Sequence, residues 1–141
     1  MFWDTAAIVP LMVDQPATTA VRDGARSDPS MVVWWGTPVE CASAIARLER
    51  EQVLDVAGVD ASRSLLDELE STWYEVAPTA AVRGHASRLL LRRPLRAADA
   101  LQLAAALVWA ENQPDGHRFC TLDDRLGAAA RREGFKVIDF R

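Results

Sequence analysis

The sequence predicts an α/β domain: a three-layer fold with a mostly parallel central sheet of four to five strands and helices on both faces. Three observations predict it. Short apolar runs alternate with helical periodicity along the chain. The run Met31-Val-Val-Trp-Trp35 is apolar throughout, as in a strand buried on both faces. Acids recur where a strand gives way to a helix, at Asp4, Glu40, Asp99 and Asp123.

The elements follow in order. Met1–Trp3 is a short strand entering the core, and residues 5–15 form a loop or a helix broken at Pro10. A helix over 16–27 ends at Asp28-Pro29. After the strand at 31–35, Gly36 turns the chain and Thr37-Pro-Val-Glu40 opens a helix to about Gln52. The next helix begins near Asp60, with Ser62, Leu65, Leu66, Leu69 and Trp73 on one stripe. Pro78 separates it from a helix carrying Val82, Ala86, Leu89 and Leu90, which Pro94 ends. Residues 97–112 are rich in Ala and Leu on all sides, as in a helix packed on the sheet. A turn at 113–116 leads to a strand at 118–121, a helix at 124–133 closed by Gly134, and a last strand at 135–140.

With 141 residues, the chain fits one domain over residues 1–141. No apolar stretch reaches the length of a membrane span. The start, Met-Phe-Trp-Asp, lacks the regions of a signal peptide, so a cytoplasmic location is expected. Cys41 and Cys120 show no metal or redox spacing and read as reduced core thiols. His85 and His117 have no neighbouring ligands and read as surface residues. The net charge of −4 looks unsuited to nucleic acid. Setting the four junction acids aside leaves 16 acids against 16 cations, so the excess negative charge sits at the junctions. Nearly all the cations are Arg, the side chain suited to bidentate phosphate contact.

In a parallel α/β sheet, the strand–helix junctions gather at the carboxyl ends of the strands, where such folds place their sites. Carboxylates converging there repel one another unless a hard cation binds them, and oxygen-only sets suit Mg²⁺ or Mn²⁺. Each acid also has a capping reading. Thr37…Glu40 has the form of a capping box, and Asp99, Asp123 or Asp124 would be favoured in a first helical turn. Asp4 follows a buried strand, a poor place for an unpaired charge. No glycine-rich phosphate loop is present.

Four segments in register resemble the PIN-domain nucleases and, within them, the VapC-like ribonuclease toxins of VapBC-type toxin–antitoxin pairs. They are Phe2-Trp-Asp-Thr-Ala6, Thr37-Pro-Val-Glu40, the run 95–104 around Asp99, and Cys120-Thr-Leu-Asp-Asp-Arg-Leu126. The resemblance implies a PIN-like fold and a Mg²⁺- or Mn²⁺-dependent endoribonuclease. Asp4, Glu40, Asp99 and Asp123 would be its catalytic and metal-binding residues, with Thr5 and Thr121 positioning water or carboxylate oxygens. Asp124 stands beside the position that the family pattern selects. RNA substrate, a cognate antitoxin and a homodimer are the implied partners, with no membrane. Arg83, Arg88, Arg92, Arg93 and Arg96 lead into the Asp99 helix as candidate phosphate contacts or as a solvated helix face. Trp34 and Trp35 are a stacking platform for bases or, for at least one of them, core. The leucines at 89–91 face more than one side, as an antitoxin or dimer surface would require. A PIN-like module that binds a partner without turnover, and a structure-specific DNA nuclease, are the alternatives.

Overall fold

A computed structural model describes residues 1–140. The strands are β1 (Phe2–Trp3), β2 (Val32–Trp34), β3 (Tyr74–Val76), β4 (Arg118–Cys120) and β5 (Lys136–Ile138). Between them lie α1 (Thr5–Met12), α2 (Thr18–Arg26), α3 (Thr37–Arg50), α4 (Val56–Glu70), α5 (Ala80–Arg92), α6 (Ala97–Trp109) and α7 (Asp124–Glu133). The sheet is parallel throughout, in the order β3-β2-β1-β4-β5. The chain winds outward from β1 to β3, crosses back over β1 through α5 and α6, and continues outward through β4 to β5. The reversal falls between β1 and β4, the switch point at which doubly wound sheets open a crevice.

Alternation along the strands divides the core into two layers. Phe2, Val32, Trp34 and Phe119 face α5, α6 and α7. Trp3, Val33 and Cys120 face the side formed by α1, α2, α3 and α4. Both layers are dense with aromatic rings. Phe2 stacks on Phe119 at 5.4 Å, and Trp3 stacks on Phe140 at 5.5 Å while its indole donates to Asp28. Cys41 and Cys120 are buried free thiols, as expected.

Several elements differ from the sequence reading. The segment 5–15 is helical to Met12 with Pro10 inside it, and the helix stops two residues after that proline. Beyond its end the Thr18 hydroxyl accepts from Gln15 N at 2.8 Å and donates to the Pro10 carbonyl at 3.1 Å. Strand β3 was not foreseen: it has three residues, lies on the sheet edge, and exposes Tyr74 and Glu75, so no buried-strand pattern marks it. Helix α4 starts at Val56, not near Asp60, because the Asp55 carboxylate accepts from Gly58 N at 2.8 Å. Val56 and Ala57 at its start are exposed and only Val59 in its first turn is buried, too little to show as apolar periodicity. Gly134 closes α7 at φ 107°, a left-handed position that favours glycine. His85 and His117 are half-buried rather than on the surface; His117 packs edge-on against Trp109. Among the described residues, no helix is long and apolar enough to cross a membrane.

Candidate functional site

Parallel pairing sets the frame. Trp3 and Cys120 are paired in register, and Asp4 N donates to the Cys120 carbonyl at 2.9 Å, so Asp4 and Thr121 leave neighbouring strands side by side. The Thr121 hydroxyl donates to Asp4 Oδ2 at 2.8 Å and accepts from Asp123 N at 3.0 Å. One hydroxyl thus ties together the two junctions that flank the switch point. The neighbouring junction, β2–α3, supplies Thr37 and Glu40, and the first turns of α6 supply Asp99 and Gln102.

Asp4 is buried, with 5 % of its surface exposed. That burial pushes its carboxyl up to about 7. The hydrogen bonds from Thr121 and Ala6 N act the other way, while the charges of Glu40 and Asp99 push it further up. Glu40 is half-buried and is also raised, by burial first and then by Asp99, against the hydrogen bonds from Gln102 and Thr5. The structure therefore brings Asp4, Glu40 and Asp99 into electrostatic contact. Among the described residues, no Lys, Arg or His forms an ion pair with any of them.

The capping roles are distributed differently from the sequence reading. Glu40 is no cap: α3 starts from Gly36 without a side-chain cap, and the Glu40 carboxylate accepts from Thr5 Oγ1 at 3.0 Å instead. The other acids do cap. Asp4 Oδ2 accepts from Ala6 N at 3.2 Å, Asp99 Oδ2 from Arg96 N at 3.3 Å, and Asp123 Oδ1 from Leu126 N at 2.7 Å. Asp123 is exposed, with one oxygen committed to α7. Asp124, its neighbour, is the first residue of α7 and is also exposed.

Gln102 was not singled out in the sequence, because it lies inside an apolar helix with no motif around it. It is 1 % exposed. Its Nε2 is 2.8 Å from Thr5 Oγ1, 3.3 Å from Thr37 Oγ1 and 3.3 Å from Glu40 Oε1. A carboxylate only accepts, so the amide nitrogen must face Glu40. That leaves Gln102 Oε1 buried without a partner, an uncommon state for a polar atom. The sequence signal available was a lone amide among Ala and Leu, one turn beyond Asp99. Gln102→Leu is expected to lower stability by about 1–3 kcal/mol, since it leaves Glu40 and Thr37 short of a donor. An unchanged urea midpoint would show that the network does not hold the site.

The arginines divide. Arg93 is taken up by Glu133, through Nε at 3.0 Å and Nη2 at 2.8 Å, which removes it as a phosphate contact. Arg88 leans on His85 at 3.1 Å. Arg83, Arg92 and Arg96 are exposed. Trp34 is core and Trp35 is 54 % exposed, the two meeting edge to face at 6.3 Å. Leu90 and Leu91 are exposed on α5, whereas Leu89 is buried.

The donor set is all oxygen, which is the chemistry of Mg²⁺ or Mn²⁺ and not of zinc. Among the described residues, no three Asp, Glu, His or Cys side chains stand close enough together to hold an ion without moving. Asp4 and Glu40, with Asp99 acting on both, fit a hard cation by chemistry and by their lack of a cationic partner; Asp123 is joined to Asp4 only through the Thr121 hydroxyl. Compared with known proteins, the chain matches no family model and no curated sequence.

Proposed function

We propose that this chain is a metal-dependent endoribonuclease with a PIN-like fold, the toxin of a VapBC-type pair, hydrolysing RNA phosphodiester bonds. The observation that carries this reading is the set of Asp4, Glu40 and Asp99 beside the switch point of the sheet, mutually repelling and, among the described residues, without a cationic partner. Such an arrangement is costly unless protons or a cation occupy it. Asp4, Glu40, Asp99 and Asp123 would hold Mg²⁺ or Mn²⁺. When bound there, such an ion would supply Lewis-acid activation of a water and would offset charge on the leaving oxygen.

The chain's own residues would do the rest. Thr121 fixes one Asp4 oxygen and leaves the other available. Thr5 and Gln102 hold the two Glu40 oxygens, so the carboxylate is oriented before any ligand arrives. Arg96, which begins the Asp99 helix, and Arg83 are the arginines best placed to meet phosphate. A cognate antitoxin and a homodimer belong to the same reading.

The test is cleavage of matched RNA and DNA oligonucleotides with and without Mg²⁺ or Mn²⁺. RNA cleavage lost with chelator supports the reading; preferential DNA cleavage replaces it with the DNA-nuclease alternative. Asp123 separates ligand from cap. Asp123→Ala should cost about 0.5–2 kcal/mol by removing the cap, whereas Asp123→Asn keeps the cap acceptor. Both should lower cleavage by at least about 100-fold if the charge is what matters. Full activity in Asp123→Asn would remove this residue from the site.

A second reading is favoured by one observation. Three of the four acids already serve as helix caps. A PIN-like module that binds a partner without turnover needs no more than that. Calorimetric titration decides: a folded chain with no divalent binding would favour the module.

A further inference from the structure

A cleft of about 250 Å³ is lined by Trp34, Pro78, Thr79, Val82, Arg83 and Leu101. It shares two elements with the acid cluster. Leu101 precedes Gln102 on α6, so one turn of that helix faces both places. Trp34 ends β2, two residues before Gly36–Thr37 opens the helix of Glu40. Gly36 lets the indole lie over the turn, for a Cβ there would come within 2.5 Å of Trp34 Nε1.

We propose that this cleft receives one unpaired base of the RNA, with Arg83 on the adjoining phosphate; this rests on the nuclease reading. The size fits: clefts for drug-sized ligands run to about 300–1,000 Å³, and this one suits a single flat ring system. The chemistry fits as well. The walls are apolar and include an indole. Trp34 is core, 7 % exposed, and forms one wall; among the described residues its Nε1 lies against Gly36, whereas the indoles of Trp3 and Trp73 donate to Asp28 and Glu75. Arg83 is exposed at the rim and makes no ion pair among the described residues, unlike Arg93. Exposed Trp35, held edge-on to Trp34, extends the aromatic surface outward. An aromatic cleft with a lone guanidinium recognises a splayed-out base and its phosphate, the way single-stranded RNA is read. It also gives an acidic chain a way to bind RNA without a basic face.

The test uses the full chain carrying Asp4→Asn, so that RNA is not cut. A fluorescently labelled single-stranded RNA oligomer is titrated by anisotropy, intact and with an abasic site moved along it. One abasic position should weaken binding about tenfold. Leu101→Trp, which fills the cleft, should weaken the intact RNA by a similar factor and abolish the effect of that abasic site. Arg83→Ala should weaken intact and abasic RNA alike, about three- to tenfold. Circular dichroism of each variant, and Mn²⁺ affinity of Leu101→Trp and Arg83→Ala with Asp4 intact, should match the parent protein. If no abasic position interacts with Leu101→Trp, and Arg83→Ala binds as before, the cleft holds no base and the inference falls, even where wild type cuts RNA. If the abasic effect is found but wild type cuts nothing with Mg²⁺ or Mn²⁺, the nuclease reading falls and the base cleft stands.

Discussion

Asp4→Asn should make the metal-free protein more stable at pH 8 and remove the nuclease activity proposed for it. The two effects share one cause. The Asp4 carboxyl is buried, and its ionisation is held up to about 7 from 3.8. An acid with a raised folded-state value contributes stability that is fully present below the unfolded value. That contribution is lost as pH climbs through the folded value. Without metal, stability should therefore decline between about pH 4 and pH 7, by on the order of 2–4 kcal/mol. Asparagine keeps an oxygen for Thr121 and for Ala6 N but never ionises, so Asp4's share of the decline should vanish in the variant, leaving only that of Glu40, which burial also raises. Added Mg²⁺ should flatten the wild-type profile by stabilising the carboxylate, and should do nothing for Asp4→Asn. Cleavage should drop at least about 1,000-fold. Thermal melts across pH, with chelator and with Mg²⁺, check all of this. A wild-type melting temperature that rises from pH 4 to pH 7 in chelator would contradict it.

Phe119→Ala should be among the most damaging single substitutions in the core. Phe119 is fully buried on β4, stacked on Phe2 at 5.4 Å and tilted against Phe135 at 5.7 Å. Its ring links the two strands that flank the switch point. Removing it costs about 3–5 kcal/mol in lost burial and cavity, against about 5–15 kcal/mol for a whole domain. The urea midpoint should fall by roughly 1–3 M. Phe119→Leu, which refills part of the space, should fall by less than half as much. Equal midpoints for the two variants would mean that the core collapses around the gap.

Much of the fold was legible in the sequence because its signals are local. The apolar run at 31–35, Pro38 in the first turn of α3 and Gly134 after α7 each state a backbone requirement in one or two residues. Strand β3 was not legible. An edge strand needs only a neighbour to pair with, and Tyr74-Glu75-Val76 pairs with β2 while showing two side chains to solvent. The meeting of Asp4, Glu40 and Asp99 followed from placing acids at strand–helix junctions, a rule of topology. What each acid does there was not legible, since capping depends on which way the carboxylate turns. Glu40 has the spacing of a capping box and instead faces Thr5 and Gln102 across the crevice. Gln102 was invisible for a related reason: nothing along α6 announces that one amide in it reaches three side chains on two other helices.

The two thiols give the crevice a clock. Cys41 follows Glu40 and Cys120 precedes Thr121, so each stands one residue from a group that builds the site. Burial, with nearby carboxylates adding to it, pushes both up to about 12, where almost none of the reactive thiolate exists at neutral pH. A thiol reagent can reach either sulfur only when α3 or β4 parts from its neighbours. Alkylation of Cys120 would thus report opening at β4 and that of Cys41 opening at the start of α3, on a timescale that a static picture of the carboxylates does not contain.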